Sequence, residues 1–204
     1  MMRTLFILIA SLLSCVAMAQ NDTQIIEQIS AASAKITTLE CDFVQTKHLK
    51  ILDNRLVSRG KMYYSQPDKL RWEYVTPYSY IFVMNQNQIL LKNSTRADVI
   101  DVNQNKIFKD ISRLMMNSIM GDMLKDNTTF EISMASTKGG YTATLIPIKR
   151  EMKQMWTKLV LLFDAESLGV KRMEMHEKSG DCTIIELENV KINRAINSTL
   201  FNLQ

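Results

Sequence analysis

Few residues of this 204-residue chain are placed for covalent chemistry. Its two histidines, His48 and His176, have the ring nitrogens of metal ligands or general bases. They belong to different strands or turns, and neither has the HxxH-type spacing that sets two imidazoles on one helix face. The thiols of Cys41 and Cys182 lie outside any C-x-x-C pair, which argues against redox catalysis; their spacing suits one disulfide or two free thiols equally. The sequence has no G-x-S-x-G elbow and no glycine-rich phosphate loop, and its scattered carboxylates could pair only through folding. These absences predict a protein that is not an enzyme and that carries neither metal nor cofactor.

What the chain offers instead is amphipathic surface. The stretch YYSQPDKLRWEYVTP, Tyr63 to Pro77, holds four tyrosines and tryptophans. Within it Leu70, Trp72 and Tyr74 alternate with Arg71 and Glu73, so a strand here carries an apolar face and a charged one. Met62 and Tyr64 extend the apolar set. Side chains of this kind bury much area while keeping a polar tip. They suit either an ordinary sheet core or a wall that sequesters an apolar guest, and alternation alone does not separate the two.

These positions must be held by a sheet. Ile25, Ile29, Ala32 and Ile36 recur at helical spacing between Asp22 and Thr38, which predicts an amphipathic helix opened by Asp22 or Thr23. From Cys41 the period changes to two. Strand signals follow at Lys61–Tyr64, Leu70–Tyr74, Tyr80–Met84, Gln88–Lys92, Phe130–Met134, Tyr141–Ile146, Thr157–Phe163, Gly169–His176 and Cys182–Val190. Turn signals at Asn85-Gln86-Asn87, Gly139-Gly140 and Ser179-Gly180-Asp181 separate them. The pattern predicts an α+β fold with an antiparallel meander. One segment breaks the rhythm: residues 103–126 read as helical, with Ile107, Ile111, Leu114, Met115, Ile119 and Met123 on one stripe. Methionine suits a surface that repacks around varied shapes, and Gly121 suits a break, so Lys106–Lys125 reads as a lid.

The first residues set the compartment. Arg3, an apolar run from Leu5 to Leu13 and Ala17-Met18-Ala19 have the order of a secretory signal peptide, removed after residue 19. Residues 20–204 then form a single domain, for which 185 residues give a sizeable core. Leu12-Leu13-Ser14-Cys15 offers a competing reading as a lipidation site. The net charge of +4 falls to +3 with the loss of Arg3, and it comes without a basic block, which excludes nucleic acid as a natural partner.

The order of these pieces resembles a known family. Phe43-x-Gln45, Ser58-x-Gly60-x-Met62-x-Tyr64, Pro67-Asp68-Lys69-Leu70-Arg71-Trp72-Glu73-Tyr74 and Pro77 are similar to the periplasmic outer-membrane lipoprotein carriers, the LolA family. Leu145-Ile146-Pro147, the strand from Leu159 to Asp164, Gly180-Asp181 before Thr183-Ile184-Ile185, and Phe201 agree with it. The resemblance implies a strongly curved antiparallel sheet forming an incomplete barrel, with helices covering its opening around an apolar cavity. It implies a periplasmic monomer that binds the acyl chains of lipidated proteins, receives them from an inner-membrane ABC release complex and hands them to an outer-membrane acceptor. Phe43, Met62, Tyr64, Leu70, Trp72 and Tyr74 would line the cavity together with the helical stripe. Where family members carry an arginine that holds the lid, this chain has Gln66, so Arg71 is expected to take over lid control. A lipid-anchored receptor on the same fold, or an envelope module that senses lipoproteins, are the alternatives.

Overall fold

The computed structural model describes residues 22–51, 53–104, 116 and 122–204. Residues 22–33 form helix α1. Eleven strands follow: β1 (Thr38–Leu49), β2 (Asn54–Ser65), β3 (Lys69–Thr76), β4 (Tyr80–Asn85), β5 (Gln88–Asn93), β6 (Ala97–Asp101), β7 (Phe130–Thr137), β8 (Gly140–Pro147), β9 (Trp156–Asp164), β10 (Val170–Glu177) and β11 (Cys182–Ile192). A short helix α2 (Arg150–Met155) precedes β9, and a 3-10 turn (Ser198–Phe201) ends the described chain.

All eleven strands join one antiparallel sheet in the order β6-β5-β4-β3-β2-β1-β11-β10-β9-β8-β7. Each half is a meander of sequence neighbours. The two halves meet where β1 pairs with β11, from Leu39 opposite Ile192 to His48 opposite Cys182. Residues 102–129 connect the two outermost strands, β6 and β7.

Strand alternation sends one face of the sheet inward. Two apolar clusters line it. The first gathers Leu39, Cys41, Phe43, Met62, Tyr64, Leu70 and Trp72 with side chains of β4 and β5. The second gathers Ile25 and Ile29 of α1 with Phe130, Leu145, Leu159, Leu161 and Phe163. Met175 touches both, so the clusters adjoin. A third, smaller cluster lies on the other side of β4 and β5, where Phe201 covers Val83 and Leu90.

The predicted first helix ends earlier than its apolar period suggests. The chain leaves α1 after residue 33, tightening through hydrogen bonds from Lys35 N to Ala32 O and from Ile36 N to Ser33 O. Ile36 thereby turns to the first cluster, while Ile25 and Ile29 serve the second. The joint is locked from a distance: Asn193 Oδ1 accepts from Thr37 N and Thr37 Oγ1, and its amide donates to Lys35 O. Gly180 and Asp181 form a similar brace, since Asp181 Oδ1 accepts from Lys50 N at 3.0 Å and Lys50 lies over the hydrogen face of Gly180.

Candidate functional site

The residues singled out on β1, β2 and β3 come together on the inward face. Register arranges them in three rows running across the strands. Leu39, Tyr64, Leu70, Met84 and Ile89 form one row; Cys41, Met62, Trp72, Phe82 and Leu91 form the next; Phe43, Gly60, Tyr74 and Tyr80 form the third. Directly opposed side chains in a sheet stand about 5 Å apart at Cβ, close enough for continuous contact. Phe43 links two of the rows. Its ring lies 4.4 Å from that of Trp72, tilted by 34°, and meets Tyr74 edge-on at 5.2 Å.

Gly60 makes that geometry possible. A side chain there would collide with Phe43 Cζ and with the carbonyl oxygen of Glu73 on the neighbouring strand. The chain thus spends its one side-chain-free position in the rows on bringing Phe43 between Trp72 and Tyr74. The glycine is visible in the sequence, but its purpose depends on strand register.

Polar groups at the margin of the face are few. The Tyr74 hydroxyl donates to Gln45 Oε1 at 2.9 Å. Burial raises the Tyr74 pKa, against smaller opposing contributions from Trp72 and Gln45, so the phenol stays protonated at neutral pH. The indole N–H of Trp72 is buried and makes no hydrogen bond of good geometry among the described residues; its approach to the Tyr74 hydroxyl falls short of one. A buried donor left in this state costs on the order of 1–3 kcal/mol relative to a satisfied one.

Part of the face is buried by protein contacts, while Tyr74, Tyr80 and Leu91 at its margin are half-buried. Tyr64 and Leu70 are fully buried and Trp72 retains 8% of its surface. Met116 lies against this cluster, and Met123 is buried in the neighbouring one beside Leu124. Of the other residues predicted on the helical stripe, Ile107, Ile111, Leu114, Met115 and Ile119 lie outside the described residues.

Arg71 lies on the face of β3 that the alternation predicts, and most of the segment expected as its lid lies outside the described residues. Arg71 points to the opposite face of β3, where its guanidinium pairs with Glu73 at 2.8 Å and donates to Leu200 O at 3.2 Å. The alternation of β3 dictates this, because its even-numbered neighbours face inward. Its partners are therefore the strand itself and the carboxyl-terminal 3-10 turn, which Asn85 also holds through Phe201 O. Among the described residues nothing ties Arg71 to the segment predicted as a lid. Gln66 sits at the β2–β3 turn, its backbone N–H donating to Thr37 O.

The cysteines are free, Cys41 on the inward face and Cys182 on the other, so this pair forms no disulfide.

Residues 34–204 match the family model of the outer membrane lipoprotein carrier protein LolA. The chain belongs to the LolA family. An outer-membrane lipoprotein carrier protein of Methylococcus capsulatus is 25% identical over 165 residues, covering 80% of this chain and 76% of the relative. The corresponding protein of Nitrosospira multiformis is 27% identical over 166 residues, with the same coverage. Among solved structures, a DUF1329 family protein from Desulfovibrio piger shares the fold with a TM-score of 0.50 at 10% identity, covering 91% of this chain and 97% of that one. The Pseudomonas aeruginosa MucA/MucB complex contains the fold too, with a TM-score of 0.54 at 9% identity, over 89% of this chain and 60% of that one. LolA proteins are periplasmic carriers of outer-membrane lipoproteins and work by binding, without catalysis. An inward face built of aliphatic and aromatic side chains fits that work.

Proposed function

We propose that the acyl chains of a lipoprotein lie against the rows formed by Phe43, Met62, Tyr64, Leu70, Trp72 and Tyr74, with Met116 and Met123 bounding the space. The observation that carries this reading is the continuity of the apolar rows across five strands, combined with a tryptophan N–H that makes no hydrogen bond of good geometry among the described residues. An ester carbonyl at the head of an acyl chain would supply the acceptor.

The sheet is strongly curled around this face. Eleven strands laid flat would span about 48 Å at about 4.8 Å each, whereas helix α1 is only about 18 Å long. Burial in both halves of the face is easier to reconcile with a sheet that wraps on itself as an incomplete barrel. Because Tyr64, Leu70 and Trp72 are buried by protein contacts, uptake must displace some of them, and an apolar wall discriminates little between chains that differ by a methylene. The carrier is therefore general for lipoproteins. It acts as a monomer in the periplasm after removal of residues 1–19, with residues 20–204 as one domain. It receives cargo from an inner-membrane ABC complex and delivers it to an outer-membrane acceptor.

A lipopeptide with brominated acyl chains tests the site. Bromine quenches indole fluorescence only at short range, so in Trp156→Phe protein, where Trp72 is the sole tryptophan, titration should quench the emission saturably. Binding of a radiolabelled lipopeptide with unaltered Trp72 emission would place the acyl chains elsewhere.

A further inference from the structure

The outward face of the sheet carries a second constellation, unrelated to the apolar rows. Glu174 and His176, two residues apart on β10, point to the same side. Cys182 stands directly opposite His176 on β11, and His48 stands directly opposite Cys182 on β1. The thiol is thus flanked by an imidazole on each neighbouring strand. The side-chain donor atoms of Glu174, His176 and Cys182 already lie within 4.8 Å of one another, and His176 Nε2 is 3.2 Å from Glu174 Oε2.

We propose that Glu174, His176 and Cys182 form a zinc site on this face, with His48 as the fourth ligand. One sulfur, two imidazole nitrogens and one carboxylate oxygen make a donor set of the borderline-soft kind that zinc takes in tetrahedral geometry. Zinc–ligand bonds of about 2.0–2.3 Å require donor atoms to stand about 3.5 Å apart, so the widest present separation must shrink by roughly 1 Å, within the reach of side-chain rotation. His48 lies outside this three-residue group as the side chains now stand; it opposes Cys182, about 5 Å away at Cβ, and is two strands, about 10 Å, from His176, so it would join the metal by rotation of its side chain. On binding, the Cys182 thiol gives its proton to solvent and its sulfur takes the metal. The two anionic ligands then match the charge of the ion.

The surroundings support such a site. Arg172 donates to Glu174 Oε1 at 2.9 Å and to Glu186 at 2.8 Å, which orients the Glu174 carboxylate and leaves Oε2 turned toward His176. An outer residue that fixes a ligand in this way is a regular part of metal sites. Lys158 stands opposite His176 on β9 and Arg55 opposite His48 on β2, and among the described residues Arg172 and His176 are the side chains paired with Glu174. Cys182 is available because Cys41, on the opposite face, forms no disulfide with it. All four ligands ride on paired strands, which hold them more rigidly than loops would.

Cobalt(II) is a direct probe, titrated into the purified, tag-free, reduced protein of residues 20–204, which lacks Cys15. A tetrahedral site containing Cys182 should give intense visible d–d bands and a thiolate-to-cobalt charge-transfer band, both abolished by stoichiometric zinc. Cys182→Ser should remove the charge-transfer band while Cys41→Ser retains it. His176→Gln and His48→Gln should each weaken cobalt binding by about tenfold or more. Circular dichroism of each variant without metal controls for folding, and lipopeptide binding by Cys182→Ser should be unaltered. The absence of a charge-transfer band in the folded wild type, or its persistence in Cys182→Ser, overturns the site. Undiminished affinity in His48→Gln overturns the place given to His48.

Discussion

Phe43 lies across the strand pair from Gly60, and its ring fills the volume that a side chain at position 60 would need: a Cβ built there would stand 2.5 Å from Phe43 Cζ. The Glu73 carbonyl closes the other side of that volume, so neither neighbour can simply rotate away. Gly60→Ala should therefore destabilise the fold by about 3 kcal/mol, at the upper end of overpacking penalties. Urea denaturation measures this. Trimming the ring with Phe43→Leu should recover only part of the loss, because the backbone clash persists. An unchanged midpoint in Gly60→Ala would mean that β2 and β3 are farther apart than described.

Arg71 separates two readings of the outward face. Its ties to Glu73 and Leu200 O hold the carboxyl-terminal turn, so Arg71→Ala should lower stability by roughly 1–2 kcal/mol and speed amide exchange in Ser198–Phe201. Lipopeptide affinity should stay as in the wild type. A variant with a normally protected turn and lost lipopeptide binding would instead restore to Arg71 the control of cargo entry expected from sequence.

Acid should weaken the protein in a defined window. Hydrogen bonds from Lys61 and then Asn189 lower the pKa of Asp42. At Asp126, burial pulls upward but is outweighed by hydrogen bonds from Thr129 and Thr128. A carboxylate with a depressed folded pKa contributes stability that is complete above its unfolded value, near 4, and is lost as pH falls through the folded value. The melting temperature should accordingly be insensitive to these groups between about pH 5 and 7 and should drop below about pH 4. Asp126→Asn keeps an acceptor oxygen without the charge, so its acid limb should be shallower; an identical limb would remove Asp126 from the account.

The two thiols should differ in reactivity. Burial, then the charges of Asp42 and Glu40, push the Cys41 thiol up to about 12, which leaves almost no thiolate at pH 8. In the protein of residues 20–204, which lacks Cys15, alkylation without reductant should label Cys182 alone in the native state and both remaining cysteines in denaturant, with zinc slowing the reaction at Cys182. Labelling of neither cysteine in denaturant would reveal a disulfide and refute the free pair.

The strands were legible because their signal is local. Alternation over four to eight residues places Leu70, Trp72 and Tyr74 on one face whatever the strand pairs with, and the glycine and asparagine turns mark where each run stops. What depends on partners was not legible. Nothing adjacent to Gly60 announces Phe43, and nothing near Gln45 announces Tyr74, since both relations arise from register. Strand β6 escaped notice because Ala97–Asp101 mixes Asp98 and Asp101 among its apolar residues, a charged pattern suited to a sheet edge. The apolar period predicts too long a helix α1 because Ile36 keeps the helical spacing while lying in the link to β1. The alternation of β3 places Arg71 on the outward face, but its tie to Leu200 O joins residues 129 positions apart and has no local signal. The histidines looked isolated because 128 positions separate them, and only the β1–β11–β10 ladder brings them to either side of Cys182.

The pairing of β1 with β11 also fixes an order of events during synthesis. A polypeptide emerges amino end first, so the whole meander from β1 to β6 exists before β11 has been made. Throughout that interval β1 is an edge, with a twelve-residue row of unpaired backbone groups beside the aromatic rows of β1–β4. Such an edge invites pairing with the wrong strand. Its rightful partner arrives almost last, and the Phe201 segment that shields the reverse side of β4 and β5 arrives after that. The half of the protein that carries the aromatic rows is therefore the half that waits longest, uncovered, for completion, and its safe passage through this interval depends on whatever holds nascent chains apart.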